Sequence, residues 1–412
     1  MIGTRRSFVG GAIGAALAWR GGWAQAAPPT AAGRAFAAAI GEEMWTELRQ
    51  RLVTVNADIR AHGLRTIPGV KATLLTGYPY NEFYDWDLYF ENLYLSYYGL
   101  WTYCFTNLRE FLDRQQPDGY VNRSLIKQRD RQHFKPFLAQ LAVLGSRQNK
   151  NDYEWVRGNY YERLGKYLTK WFSYDGDKNG LPVWNSADAA GTDNQWSRGG
   201  ALGAFEIEGV DPASYLVREL RAMAAMAHQL GLAGDVKRYN DEAGRLIKVM
   251  NATFWDEADG MYYDRNEKTG KLVKVKSATC FMPLFAGAAT PDRAGRMVRQ
   301  HLLNEKEFWL AYPVASYAKT EPDLLPGLAQ RVQLARSDVG SDQLHDLPGL
   351  DALRICRRSE DSGGPVAGDG GGEKRRASRV LRRGDGPGAG ADALLGVHRA
   401  VLRYAAGVAV AV

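Results

Sequence analysis

Between residues 35 and 318, apolar side chains return every three or four positions in segment after segment, and that repetition narrows the fold to helices packed in pairs. The segments fall near 36–62, 87–115, 129–148, 152–174, 213–231, 234–255 and 290–303, with Leu216, Leu220, Met223, Met226 and Leu230 as the plainest stripe. Several adjoin as hairpins. Their connections are short and rich in aromatic and acidic residues, as in Trp255-Asp256-Glu257-Ala-Asp259-Gly260-Met-Tyr262-Tyr263-Asp264. Helical hairpins with functional groups at their ends predict an all-α toroid, and the aromatics inside the helices read as core. No linker divides this stretch, although 412 residues would suffice for two or three average domains.

Charge excludes one class of partner. The formal +7 is concentrated at the ends, since residues 1–26 carry three arginines and residues 331–412 carry thirteen basic against ten acidic side chains. With +3 in each of those segments, the body between them keeps only +1, which gives no footing for nucleic acid. The cysteines, Cys104, Cys280 and Cys356, are too few and too scattered for a disulfide framework or a zinc site, and read as buried thiols.

The first 26 residues read as an address. Thr4-Arg5-Arg6-Ser7-Phe8-Val9 is a twin-arginine signature, followed by an apolar stretch from Phe8 to Trp19 and an Ala24-Gln25-Ala26 cleavage pattern. The expectation is export of the folded protein by the twin-arginine machinery, cleavage, and a periplasmic or secreted product without stable membrane association.

Two segments carry chemistry. Trp184-Asn-Ser-Ala-Asp188-Ala-Ala-Gly191-Thr-Asp193-Asn194-Gln195-Trp196-Ser-Arg198 sets carboxylate, amide, indole and guanidinium groups on one Gly-hinged stretch. Alone it would be a solvated turn. As a site, a glycine before Asp193 lets the backbone turn the carboxyl toward a cavity, and aromatic neighbours that exclude water raise its pKa, as a general acid requires. The second segment, from Tyr78 to Asn92, includes Tyr84-Asp85-Trp86-Asp87 and is polar and aromatic at once. Aromatic faces stack on sugar rings while carboxylates and amides accept hydroxyl protons. Asp87 is also placed to cap the helix that follows.

These residues carry a family resemblance. Tyr84-Asp85-Trp86-Asp87 with Phe90, then Asp175 to Pro182, then Gly191-Thr192-Asp193-Asn194, in that order over roughly residues 36–318, resemble the six-hairpin glycosidases. Glycoside hydrolase family 63 and its mannosylglycerate-hydrolase-like branch are closest, with trehalases more distant. The resemblance implies an (α/α)6 toroid over residues 30–325 that hydrolyses an α-glycosidic bond of an oligosaccharide, an α-glucoside or α-mannoside, with inversion and without a cofactor or metal. Asp193 matches the general acid, and Trp86 and Asp87 match the groups that hold the sugar. Tyr84, Asp85, Trp184, Asn194 and Gln195 join them as expected substrate-binding residues.

The chain then changes character. Residues 319–412 hold one aromatic, Tyr404, whereas the first 318 hold the other forty-five, and Gly and Arg runs such as Gly370-Gly-Gly372 and Lys374-Arg-Arg376 replace the helical pattern. As written, residues 326–412 form a disordered basic tail and leave the toroid incomplete at its C-terminus. Another reading fits better. Shifted by one nucleotide, Gln333 to Cys356 can encode NWRGPTWVPINYMIFQGLMRYGYA, Arg379 to Gly388 can encode EYYDAETGRG, and Asp392 to Leu402 permits T-H-F-x-G-x-T-A-L. Each resembles a later family segment in the correct order, which places a frameshift near residues 326–332. The family's catalytic base, a Glu followed by Tyr, would straddle the codons now read as Arg379 and Val380. Glu206, Glu208 and Asp211 are not assigned in its place, and Asp211 is expected at a helix start.

Asp175, Asp177, Asn179 and Gly180 also resemble the opening of a calcium loop, but Ser186 stands at the twelfth position, so a turn is the better reading. His133 and His301 read as helix residues. Two other functional classes remain: a carbohydrate-binding pseudoenzyme, and another toroid enzyme such as a polysaccharide lyase or sugar epimerase, whose proton abstraction would call for a cavity Tyr, His or Lys.

Overall fold

The computed structural model describes residues 57–76, 82–96, 100–126, 132–184, 190, 206–309 and 315–321, with isolated positions in 46–54. Residues 1–26, most of the 36–62 segment, the Gly191–Arg198 stretch, Cys356 and the tail from 322 onward lie outside them, and with them the expectations made there.

Helices dominate. α1 spans Asp85–Ser96, α2 Thr102–Asp113, α3 Leu138–Gln148, α4 Asn159–Phe172, α5 Val210–Gln229, α6 Ala233–Thr253, α7 Met282–Ala286 and α8 Pro291–Met297, the last running into a π-helical turn at Val298–Leu302. Their burial sorts them into two kinds. α3 and α5 are enclosed on nearly every side: Leu138 to Val143 are buried without interruption, as are Val210 to Val217. α2, α4 and α6 bury single stripes, such as Tyr161, Leu164, Tyr167, Leu168 and Trp171 on α4, or Tyr239, Ala243, Leu246 and Met250 on α6. Spacing of three and four residues turns one face inward and leaves the other to water, so these are outer helices against an inner layer. The inner helices meet in series, α1 on α3, α3 on α5 and α5 on α7, while α5 also pairs along its length with α6.

The α5–α6 hairpin shows how sequence sets the turn. Leu216, Leu220, Met223, Met226 and Leu230 are all buried, as their spacing predicts. Gly231, at φ +75°, then reverses the chain in a left-handed conformation that costs glycine little. Gly119, after α2, is tighter still: its φ is +92°, and a Cβ there would lie 2.3 Å from the Lys166 carbonyl oxygen.

Three expectations change. The 87–115 segment is two helices, α1 and α2, with Leu100 and Trp101 outside both. Among the described residues of the 129–148 segment, the helix begins at Leu138. Pro136 restrains Lys135 from helical angles and lacks the N–H that a helix interior needs, so residues 132–135 are extended and Asn122 bridges to His133. His133 is therefore a bridge residue, whereas His301 is helical. The aromatic, acidic connections also hold short antiparallel strands. β1 (Leu64–Arg65) pairs with β2 (Leu74–Leu75). β3 (Ile207–Glu208) joins a small sheet with β6 (Asp264–Asn266) and β7 (Leu272–Val273), in that order, and between them in the chain β4 (Trp255–Asp256) pairs with β5 (Met261–Tyr262). Two-residue strands lie below the length at which alternation is readable.

Candidate active site

The site is built at the start of α1. Asp85 and Asp87 occupy its first turn, where carboxylates complement the helix dipole. Residues 121–126 and 132–137 hold this end in place. Tyr84 bridges to Ser124, and the Arg123 guanidinium lies 5.2 Å from the Tyr84 ring centre. Buried Glu82 accepts hydrogen bonds from Phe83 N at 2.8 Å and Ile126 N at 2.9 Å. Lower down α1, Tyr89 stacks on Phe137 with ring centres 4.6 Å apart.

The two acids have different surroundings. Asp85 is fully buried, and Lys135 Nζ lies 3.1 Å from each of its oxygens. Lys135 N donates to Asp85 Oδ2 at 3.0 Å, and Arg123 stands 3.5 Å away. Burial opposes ionisation of Asp85, but the Lys135 and Arg123 charges outweigh it and hold the pKa below the usual value. Lys135 is itself lowered to about 8 by burial and by Arg123, and so stays charged at neutral pH. Asp87, two residues on, is partly exposed, and its pKa is pushed up to about 6 by burial and then by the Asp85 charge. One turn further, burial and Asp87 raise Glu91 well above the carboxylate range, and its Oε2 has no hydrogen-bond partner.

The expected sugar-holding residues thus divide. Tyr84, Trp86 and Asp87 are partly exposed at one helix end. Asp85 is placed differently: it is fully buried with both oxygens on Lys135, as an internal counter-ion. Trp184 is likewise fully buried, edge-on to Trp171 at 5.6 Å, with its indole N–H pointing to Asp211 Oδ1 at 3.4 Å. A ring enclosed in the core offers no stacking face. Asp193, Asn194 and Gln195 fall outside the described residues.

Lys135, Arg123 and Glu91 were missed in the sequence. A signal existed for the first: a lone lysine in His-Phe-Lys-Pro-Phe-Leu must either snorkel or find a buried anion. The acids that follow Asp193 in the chain have partners or helix-end positions of their own. Glu208, buried, pairs with Arg265 at 2.7 Å and accepts from Asn179 at 2.6 Å, while Glu206 contacts Lys268 and Asn266. Asp211 sits in the first turn of α5, as expected of a helix start.

For a metal, the described residues offer Asp175, Asp177 and Glu267, whose ligand oxygens lie within 4.8 Å of one another. They already serve a turn. Asp175 accepts from Asn179 N and Gly180 N, at 3.1 and 2.8 Å, and Glu267 from Gly176 N and Asp177 N, at 2.8 and 2.9 Å. Arg265 adds an ion pair to Asp177 at 3.2 Å. Among the described residues no helix is long and apolar enough to cross a membrane.

Residues 80–330 match the model of the mannosylglycerate hydrolase MGH1-like glycoside hydrolase domain, more than half the chain. The chain belongs to this glycoside hydrolase family. Solved structures agree on the fold. The glycoside hydrolase family 63 mannosylglycerate hydrolase of Thermus thermophilus, in complex with Tris, superposes with a TM-score of 0.51 at 18% identity, over 67% of this chain and 81% of that one. The helical layers described above are those of an (α/α)6 toroid. Local sequence likeness reaches the trehalases: the cytosolic neutral trehalase of Kluyveromyces lactis is 44% identical over 54 residues, and that of Neurospora crassa 36% identical over 64. Those matches cover 13% and 16% of this chain, and only 7% and 9% of the trehalases.

Proposed function

We propose that this family member is an exported hydrolase of α-glucosides or α-mannosides, holding the sugar on Trp86 and Asp87 and protonating the leaving oxygen from Asp193. The observation that carries the reading is the Trp86–Asp87 pair, presented at the start of an inner helix with Asp87 poised near pH 6. An indole face and a carboxyl side by side suit a sugar's C–H face and its hydroxyls. The substrate class is supported by a solved relative described as a mannosylglycerate hydrolase holding Tris and D-glycerate.

Inverting hydrolysis needs a second carboxylate about 6.5–9.5 Å from the first, with a water between them. The ion-paired Glu206 and Glu208 are poor candidates for it, and the frameshifted segment is the better source. The family match ends at residue 330, inside the 326–332 window and within the aromatic-poor stretch that begins at residue 319. In the present frame this favours a second reading, a sugar-binding protein without turnover.

Nucleotide sequencing across residues 320–335, mass spectrometry of the natural C-terminus and N-terminus, and assay of the frame-restored protein test the proposal together. Restored protein should release a β-configured product from an α-glycoside, and Asp193→Asn should reduce the rate by at least about a hundredfold. Binding without hydrolysis after restoration would favour the pseudoenzyme, and an unsaturated or epimerised product would favour a lyase or epimerase. An uninterrupted frame confirmed by mass would end the frameshift hypothesis.

A further inference from the structure

We propose that Lys135, acting through Asp85, is the positioning residue for the Trp86–Asp87 pair; this rests on the reading of that pair as the sugar holder. Lys135 comes from the extended residues 132–135 before α3, fifty residues beyond Asp85, and is fully buried. Its Nζ meets both Asp85 oxygens at 3.1 Å and lies 4.8 Å from the centre of the Trp86 ring. The backbone N–H of Lys135 clasps Asp85 Oδ2 as well. One residue therefore fixes the helix start twice and places a cation against the neighbouring indole.

The clamp has a rigid backing. Tyr167 OH donates to the carbonyl of Lys135 at 2.5 Å, with that of Phe134 at 3.1 Å, and Trp171 Nε1 donates to the Phe134 carbonyl at 2.9 Å. Both anchors are fully buried on α4. Movement of Lys135 is thereby restrained by the outer layer, and Trp86 inherits that restraint.

Stability alone is a weak reason for such a pair. Replacing a buried ion pair by apolar side chains of similar volume is often neutral or stabilising, because burying both charges costs about what their attraction returns. A charge held against the face of a binding indole has a use that an apolar pair lacks: it fixes the ring's orientation and its distance from the adjacent carboxylate. The tandem acids then have separate duties, Asp85 inward to the lysine and Asp87 toward the ligand.

The full-length chain as it exists is the material for the test, with Lys135→Met, the doubly neutral Asp85→Asn/Lys135→Gln, and Trp86→Phe as reference. Near-UV circular dichroism of each protein minus that of the same protein carrying Trp86→Phe isolates the Trp86 band. NMR titration with methyl α-glucoside and methyl α-mannoside reads binding. The proposal expects the Trp86 band to be lost in Lys135→Met and in the double variant. It also expects glycoside affinity to fall roughly tenfold, the scale of one desolvated cation–π contact. Should Lys135→Met fail to fold because Asp85 loses its closest partner, the double variant, which removes both charges of that pair, decides. An unchanged Trp86 band in a folded variant overturns the positioning role. If neither glycoside binds the parent protein, the sugar-holding reading fails, and the Trp86 band still decides for or against the clamp.

Discussion

Replacing His133 with phenylalanine should remove part of the protein's sensitivity to acid, and the size of that part follows from where the ring sits. His133 is fully buried, stacked on Tyr120 at 5.2 Å and flanked by Tyr167, Trp171 and Tyr174 at 5.0, 5.2 and 5.9 Å. Nδ1 lies 3.1 Å from both the N and the O of Val121, and Nε2 has no hydrogen-bond partner. Burial drives its pKa down to about 3, so the folded ring stays neutral while an unfolded one takes up a proton near 6.5. Above pH 6.5 both states are neutral and the ring adds no pH dependence. Below it the unfolded state binds the extra proton, and stability is lost at up to about 1.36 kcal/mol per pH unit until the folded ring also titrates. Between pH 7 and pH 5 this amounts to about 2 kcal/mol. Urea unfolding of the parent and His133→Phe at both pH values isolates that amount, because every other titrating group is common to both. The variant starts less stable, having lost the Val121 contact, but its deficit should shrink by about 2 kcal/mol on acidification. A gap that stays constant from pH 7 to pH 5 would refute the assignment of a neutral buried ring, as would histidine NMR showing His133 protonated at pH 5.

Other expectations are as direct. Glu219, raised to about 7 by burial against the favourable backbone contacts of Ala139 and Gln140, keeps a proton between pH 4.5 and 7 that the unfolded chain releases. Its contribution is therefore lost as pH rises through that window, by about 3 kcal/mol in all, and Glu219→Gln should flatten the slope in pH-dependent thermal melts. Gly119→Ala should cost at least about 1 kcal/mol from its positive φ alone, with the Lys166 carbonyl in the way of the new methyl; an unchanged melting temperature would contradict that geometry. Leu216→Ala on the enclosed α5 should cost about 2–5 kcal/mol, measurable by chemical denaturation.

Legibility in the sequence followed the length of the signal. α5 and α6, at 20 and 21 residues, carry periodicity over many turns and lie close to where their spacing puts them. The break between α1 and α2 was hidden because aromatic and apolar residues continue on both sides of Gly99, and a lone glycine does not by itself end a helical pattern. Pro136 was visible, but the apolar spacing that follows it, from Phe137 to Leu144, masked the end of the extended segment. At the site, Trp86 and Asp87 announced themselves by composition. The opposite duties of Asp85 and Asp87 could not be read, because they depend on Lys135 arriving from fifty residues away. The enclosure of Trp184 was hidden for a related reason: its neighbours Trp171 and Asp211 come from other segments of the chain.

The first turn of α3 has a consequence for synthesis. Its N–H groups at Ala139 and Gln140 are met by Glu219 of α5, at 2.8 and 3.1 Å, and by no capping side chain of its own segment. While the chain is emerging, α3 therefore waits with exposed donors until about eighty more residues have been made. The first turn of α3 is thus completed only when α5 has been made and packs against it.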